Sequence, residues 1–124
     1  MDESAAPLYR QIATLVEDSI VEGALKPGQQ TPSTTELAAF HEINPATARR
    51  GLALLVDAGV VAKRRGVGMF VTPEAREMIL ARRRADFAAA YVAPLIDEAA
   101  RLDIDRSRLH DLVERVAESR GLYS

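Results

Sequence analysis

Two adjacent arginines, Arg49 and Arg50, and a run of three cations, Lys63-Arg64-Arg65, fall within a stretch from Asn44 to Arg65 that holds one acid, Asp57. Arginine can donate two parallel hydrogen bonds to a guanine edge or hold a phosphate. A threonine such as Thr47 can bond a phosphate or touch a thymine methyl. The whole chain carries a formal charge of −2, so these cations form a local patch in a mildly acidic protein. Such a distribution argues for selective nucleic-acid reading over indiscriminate coating. A solvated charged face would have the same composition, and the surrounding elements have to separate the two readings.

Other chemistries are poorly provided for. There is no cysteine, which excludes disulfides and thiolate metal sites. His41 and His110 have no acidic or cysteine companion at ligand spacing, so no metal or cofactor is expected and each reads as a surface or helix-end residue. No nucleophile stands beside a base, and Gly66-Val67-Gly68 lacks the strand-to-helix setting of a phosphate loop. No catalytic residue is expected, and the chain reads as a non-enzyme. The apolar stretch from Gly51 to Ala62 is interrupted by Asp57 and is too short to span a bilayer. Met1-Asp2-Glu3 is unlike a secretory leader, which points to the cytoplasm and to no membrane partner.

The elements that must position the patch can be read along the chain. With 124 residues, 48% hydrophobic and 27% charged, it can build one compact domain plus an appendage. A first helix is expected from about Pro7 to Ala24, with Ile12, Leu15, Val16 and Ile20 as its apolar stripe, stopped by Gly23 and Lys26-Pro27-Gly28. A short second helix is expected over Thr34 to His41. Ser33 and Glu36 make its capping box, and Leu37 and Phe40 its buried side. Asn44 as cap and Pro45 at the first position open a third helix running to about Ala58, with Ala48, Leu52, Leu55 and Val56 inward and Gly59 as its stop. The period then changes. Val60 to Lys63 and Met69 to Thr72 read as two short strands around a basic, glycine-containing tip.

Three helices followed by a two-stranded ribbon is the order of a winged helix-turn-helix. The fold class expected is therefore mainly α, with the winged domain over residues 1–72 and a helical tail over 73–124. In the tail, Thr72 reads as a cap, Pro94 should kink or divide the first helix, and Asp105 should cap a last helix that ends at Gly121. Tyr9 and Phe40 read as core residues, and Arg82-Arg83-Arg84 as a solvated helix face.

Residues 7–72 resemble a GntR-family DNA-binding domain nearly end to end. Pro7-Leu8-Tyr9-Arg10-Gln11-Ile12 resembles the family's opening helix and Gly23-Ala24-Leu25-Lys26-Pro27-Gly28 its loop. Pro32-Ser33 with Glu36-Leu37-Ala38 resembles the second helix, Thr47-Ala48-Arg49-Arg50-Gly51-Leu52 the recognition helix, and Gly66-Val67-Gly68-Met69-Phe70-Val71 the wing. The resemblance implies a transcription regulator in which Thr47 and Arg49 contact double-stranded operator DNA and the wing glycines approach the minor groove. Thr35 and Pro45 stand where the family commonly has arginines, Val67 replaces a frequent basic wing residue, and Met69 a frequent threonine. These departures favour a changed operator over reduced affinity, with Arg50 and the Lys63–Arg65 cluster compensating. The residues assigned to DNA are Ser33, Thr35, Asn44, Ala46, Thr47, Arg49, Arg50, Lys63, Arg64, Arg65, Gly66 and Gly68.

About 50 residues follow the wing, too few to enclose a metabolite cavity of ~300–1,000 Å³ alone. A tail beginning Pro73-Glu74-Ala75-Arg76 resembles the YtrA-type short branch, which implies dimerisation and control of membrane-transporter genes; the regulator expected is a homodimeric repressor, less often an activator. Two amphipathic helices must bury their stripes, and a symmetric partner is the simplest way. Leu80, Phe87, Tyr91, Leu95, Leu109, Leu112, Val113 and Val116 are the dimerisation residues expected. Any small-molecule effector would sit between subunits. The rival reading is a winged helix repurposed as a protein-interaction module, against which a steep salt dependence of DNA binding would count.

Overall fold

The computed structural model describes residues 6–122; Met1, Asp2 and Glu3, read above for a leader, lie outside them. The elements are α1 (Leu8–Val21), α2 (Thr34–His41), α3 (Pro45–Asp57), β1 (Val61–Arg64), β2 (Gly68–Val71), α4 (Ala75–Phe87), a π-helical turn (Ala88–Val92), α5 (Ala93–Arg101) and α6 (Arg106–Ser119). Contacts divide the chain into two compact units, one running to Arg83 and one beginning at Arg84. The expected boundary at residue 72 therefore falls inside the first unit, because Ala75 and Ile79 of α4 are fully buried in its core.

The first unit is built on α1 packed against α3. Ile12, Val16 and Ile20 lie under Ala48, Leu52 and Leu55, with Val60, Val61 and Val71 from the ribbon closing the core. Each fully buried Ile or Leu contributes about 1.5–3 kcal/mol relative to its exposed state. The two helices approach closely at Gly51, where a Cβ would stand 2.8 Å from the Tyr9 carbonyl oxygen and 2.9 Å from Ile12 Cγ2. Leu15, expected in the stripe, is instead exposed because it lies a quarter-turn from the α3 contact.

Local chemistry sets the helix ends. Pro7 is the N-cap of α1, its carbonyl accepting from Arg10 and Gln11, and the helix stops at Val21, short of Ala24. The capping box of α2 is present: Ser33 Oγ accepts from the Glu36 N–H at 3.0 Å, and Glu36 Oε1 accepts from the Ser33 N–H at 3.1 Å. Phe40 is 82% exposed, so it is not on the buried side; Leu37 and Ala38 fill that place, the period having put Phe40 on the solvent face. Asn44 Oδ1 accepts from Ala46 N–H at 2.8 Å to open α3, and Gly59 at φ +79° closes it.

The ribbon is antiparallel, with Val61 opposite Val71 and Arg64 opposite Gly68, each strand displaced by one residue from the expected span. A third segment extends it on the other side of β2. Thr31 N–H donates to Met69 O at 2.8 Å, Val71 N–H to Gln29 O at 3.0 Å, and Gln30 forms a bridge with Phe70. Thr72 does not cap α4; its hydroxyl donates back to the Gly59 carbonyl at 2.8 Å. Two arginines of the run are engaged and not simply solvated, while Arg84 is exposed. Arg82 makes a two-pronged pair with Glu17, at 2.9 and 2.6 Å, and Arg83 reaches Asp18 at 2.8 Å. Glu17 is buried in α1 among apolar neighbours, and a desolvated carboxylate requires such a partner.

The second unit is a helical hairpin. Pro94 divides its first arm as expected: lacking an N–H it cannot bond Ala90, the ladder slips, and the Ala93 N–H reaches Ala88 O, five residues back. Asp105 caps α6 through the Arg108 N–H. Only Ala99 and Leu109 are buried within this unit among the described residues.

Candidate nucleic-acid interface

Capping decides where the polar residues of this region point. With Ala48 and Leu52 buried under α1, the first turns of α3 expose Ala46, Arg49 and Arg50, while Thr47 is half-buried. Three elements then enclose one groove of about 520 Å³. Residues 30–35 form one wall, Arg49 and Leu52 of α3 the floor, and Lys63, Arg64, Gly66, Val67, Gly68 and Met69 of the wing the other wall. Of the residues assigned from sequence, Ser33, Thr35, Arg49, Lys63, Arg64, Gly66 and Gly68 come together here. Asn44, Ala46, Thr47, Arg50 and Arg65 do not line the groove: the first three occupy the start of α3 and Arg65 the exposed hairpin tip.

The wing is held in a defined shape. Val67 N–H donates to Arg64 O at 3.0 Å across the tip, Gly66 takes φ +76°, and the Arg64 guanidinium lies 4.4 Å from the centre of the Phe70 ring. Gln30 Nε2 donates to the Val67 carbonyl at 3.0 Å. Gly68, at φ +137°, passes so close that any Cβ there would fall on the Gln30 amide. Gln30 and Thr34 also line the groove and were not among the residues assigned from sequence; for Gln30 the reason is that a segment as short as Gly28–Thr31 carries no periodicity and reads as a turn.

Tyr9, expected in the core, instead meets Arg50 near the surface. Tyr9 is half-buried at the start of α1, and the Arg50 guanidinium stacks 3.8 Å from its ring centre. Arg10 Nε donates to the Tyr9 hydroxyl at 3.4 Å. That hydrogen bond, then the positive charges of Arg50 and Arg10, lower the pKa of the phenol. The Glu36 carboxyl is likewise held below its ordinary value, first by the Ser33 backbone N–H and then by its hydroxyl. No group of three or more metal-ligating side chains exists among the described residues, and no helix among them is long and apolar enough to cross a membrane.

Three helices followed by an antiparallel wing, with the third helix and the wing sharing a basic groove, define a winged helix-turn-helix regulator of the DNA-binding class. The family profile described as bacterial regulatory proteins, gntR family, matches residues 8–71. The chain belongs to that family. Over 114 residues it is 25% identical to the HTH-type transcriptional repressor YtrA of Bacillus subtilis, covering 92% of this chain and 87% of that one. A GntR family transcriptional regulator from Listeria monocytogenes superposes with TM-score 0.73 at 28% identity, over 93% of this chain and 98% of its own. The AraR DNA-binding domain, solved in complex with operator ORX1, covers 58% of this chain and 87% of its own at TM-score 0.54 and 28% identity.

Proposed function

We propose that this chain is a homodimeric, cytoplasmic repressor that binds a roughly palindromic operator, each protomer offering the start of α3 to one half-site. Base reading falls to Thr47 and Arg49, with Ala46 beside them. Lys63, Arg64 and Arg65, with the glycines of the wing tip, Ser33, Thr35 and Asn44, fix register through the backbone. The observation that carries this reading is the basic groove shared by Arg49 and the wing, which matches the demand that a recognition helix and a minor-groove element meet one duplex together. The likeness to the repressor YtrA over 92% of the chain supports repression. MngR of Escherichia coli, a mannosyl-D-glycerate transport/metabolism system repressor 35% identical over 68 residues, supports a transport operon as target, although this chain spans 28% of its length.

Dimerisation is assigned to the hairpin. Phe87, Tyr91, Leu95, Val113 and Val116 are exposed and Leu112 is half-buried. Leu109 packs inside its own hairpin and Leu80 lies in the first unit, so these two contribute less. A unit with so little buried apolar surface needs a partner to be stable, and a second copy provides the complementary face. An effector, where one acts, is placed between the subunits. Selecting bound duplexes from random DNA tests the proposal. Arg49→Ala should abolish preference for the selected site while leaving the helical spectrum and the dimer unchanged; retained preference would refute the assignment.

A further inference from the structure

The recognition helix carries its two neighbouring arginines to opposite flanks. Arg49 lines the groove it shares with the wing, whereas Arg50 turns toward α1 and lies over the Tyr9 ring, its guanidinium carbon 3.8 Å from the ring centre. Arg10 Nε donates to the hydroxyl of the same phenol, and its guanidinium stands 5.8 Å from the ring centre. Among the described residues neither Arg10 nor Arg50 is in an ion pair, so no described carboxylate neutralises the two positive charges of this cluster. Two guanidiniums gathered on one ring repel each other, and such an arrangement is best satisfied by an anion. A major groove is bounded by a phosphate strand on each side. If the wing meets one strand, the opposite flank of α3 faces the other, and that is where this cluster lies.

We propose that Arg10 and Arg50, held on the Tyr9 ring, form a second phosphate contact that grips the backbone strand on the α1 side of the recognition helix. Arg50 then sets affinity and register and does not read bases, and Tyr9 is a positioning residue. Stacking restrains the guanidinium before DNA arrives, so less side-chain freedom is lost on binding. This inference rests on the DNA-binding reading above and deepens it.

The test uses the full-length chain, a duplex selected from random DNA and an unrelated duplex of equal length, with affinities measured across a salt series. Arg50→Gln and Arg10→Gln should each weaken binding to both duplexes by the same factor. Each should also lower the salt slope by about 0.9, so that the affinity change between about 50 and 200 mM salt shrinks about threefold. Tyr9→Leu should weaken both duplexes alike, and Tyr9→Phe, which keeps the ring, should restore most of the loss. Unchanged affinity and slope in both arginine variants would overturn the proposal. So would a loss confined to the selected duplex, which would put Arg50 at a base edge. Wild-type protein with no salt-dependent duplex binding would remove the parent reading itself, a result visible before any variant is made.

Discussion

At the scale of single residues, the winged unit is constrained at Gly51, where the obstructing neighbour is helix backbone and not the end of a flexible side chain. A methyl there meets backbone oxygen and a branched side chain below 3.0 Å, and α1 cannot yield without moving Tyr9. Gly51→Ala is expected to cost about 1–3 kcal/mol, the range of overpacking in a close-packed core, read as a lower urea midpoint with an unchanged slope. Glu17 makes a different demand. It is buried, with Arg82 half-exposed over it, so the pair is worth more than a surface contact and less than a fully desolvated one. Arg82→Met should destabilise by about 1–2 kcal/mol, whereas Glu17→Leu with Arg82→Met should recover much of that; a double-mutant cycle on thermal midpoints measures the coupling. Residue types foretold neither effect. The run of arginines at 82–84 is indistinguishable in sequence from a solvated face until α4 lies beside Glu17.

At the scale of elements, α2 has only eight residues, and so short a helix depends on its cap. Ser33→Ala removes the acceptor for the Glu36 N–H and is expected to cost about 1 kcal/mol, with amide exchange accelerated in residues 34–37. The same box is acid-sensitive. Glu36 titrates below its ordinary value in the folded chain, so its stabilising contribution is present at neutral pH and is lost as pH falls through that lowered value. A stability profile between pH 7 and 3 should therefore fall less steeply for Glu36→Gln than for the natural chain over the acid limb. The caps, Gly59 and the division at Pro94 were legible in the sequence because each is a local event set by one or two side chains. The third segment of the wing was not, since Gln29 to Thr31 becomes strand-like only by pairing with residues some forty positions away.

At the scale of the whole molecule, the hairpin exposes Val113 at 46% and Val116 at 55%, beside Leu95 and Leu102. If that face is a homodimer interface, Val113→Asp with Val116→Asp should yield monomers by sedimentation, with a recognition unit that keeps its helical signal. Operator affinity should fall by several orders of magnitude, since one half-site alone lacks the linked second contact. Persistence of the dimer in that variant would move the interface elsewhere.

The sequence by itself determined the order of helices and ribbon, the caps, the basic patch and the family. Those properties are written in short-range patterns, where spacing and side-chain chemistry act over a few residues. Tertiary structure alone decided which of two adjacent arginines faces the groove and which lies on Tyr9, that Phe40 is exposed, and that Glu17 has partners. Those outcomes depend on which helix face meets which neighbour, and a rotation of 100° per residue separates Arg49 from Arg50 only once α1 and the wing are packed on opposite sides.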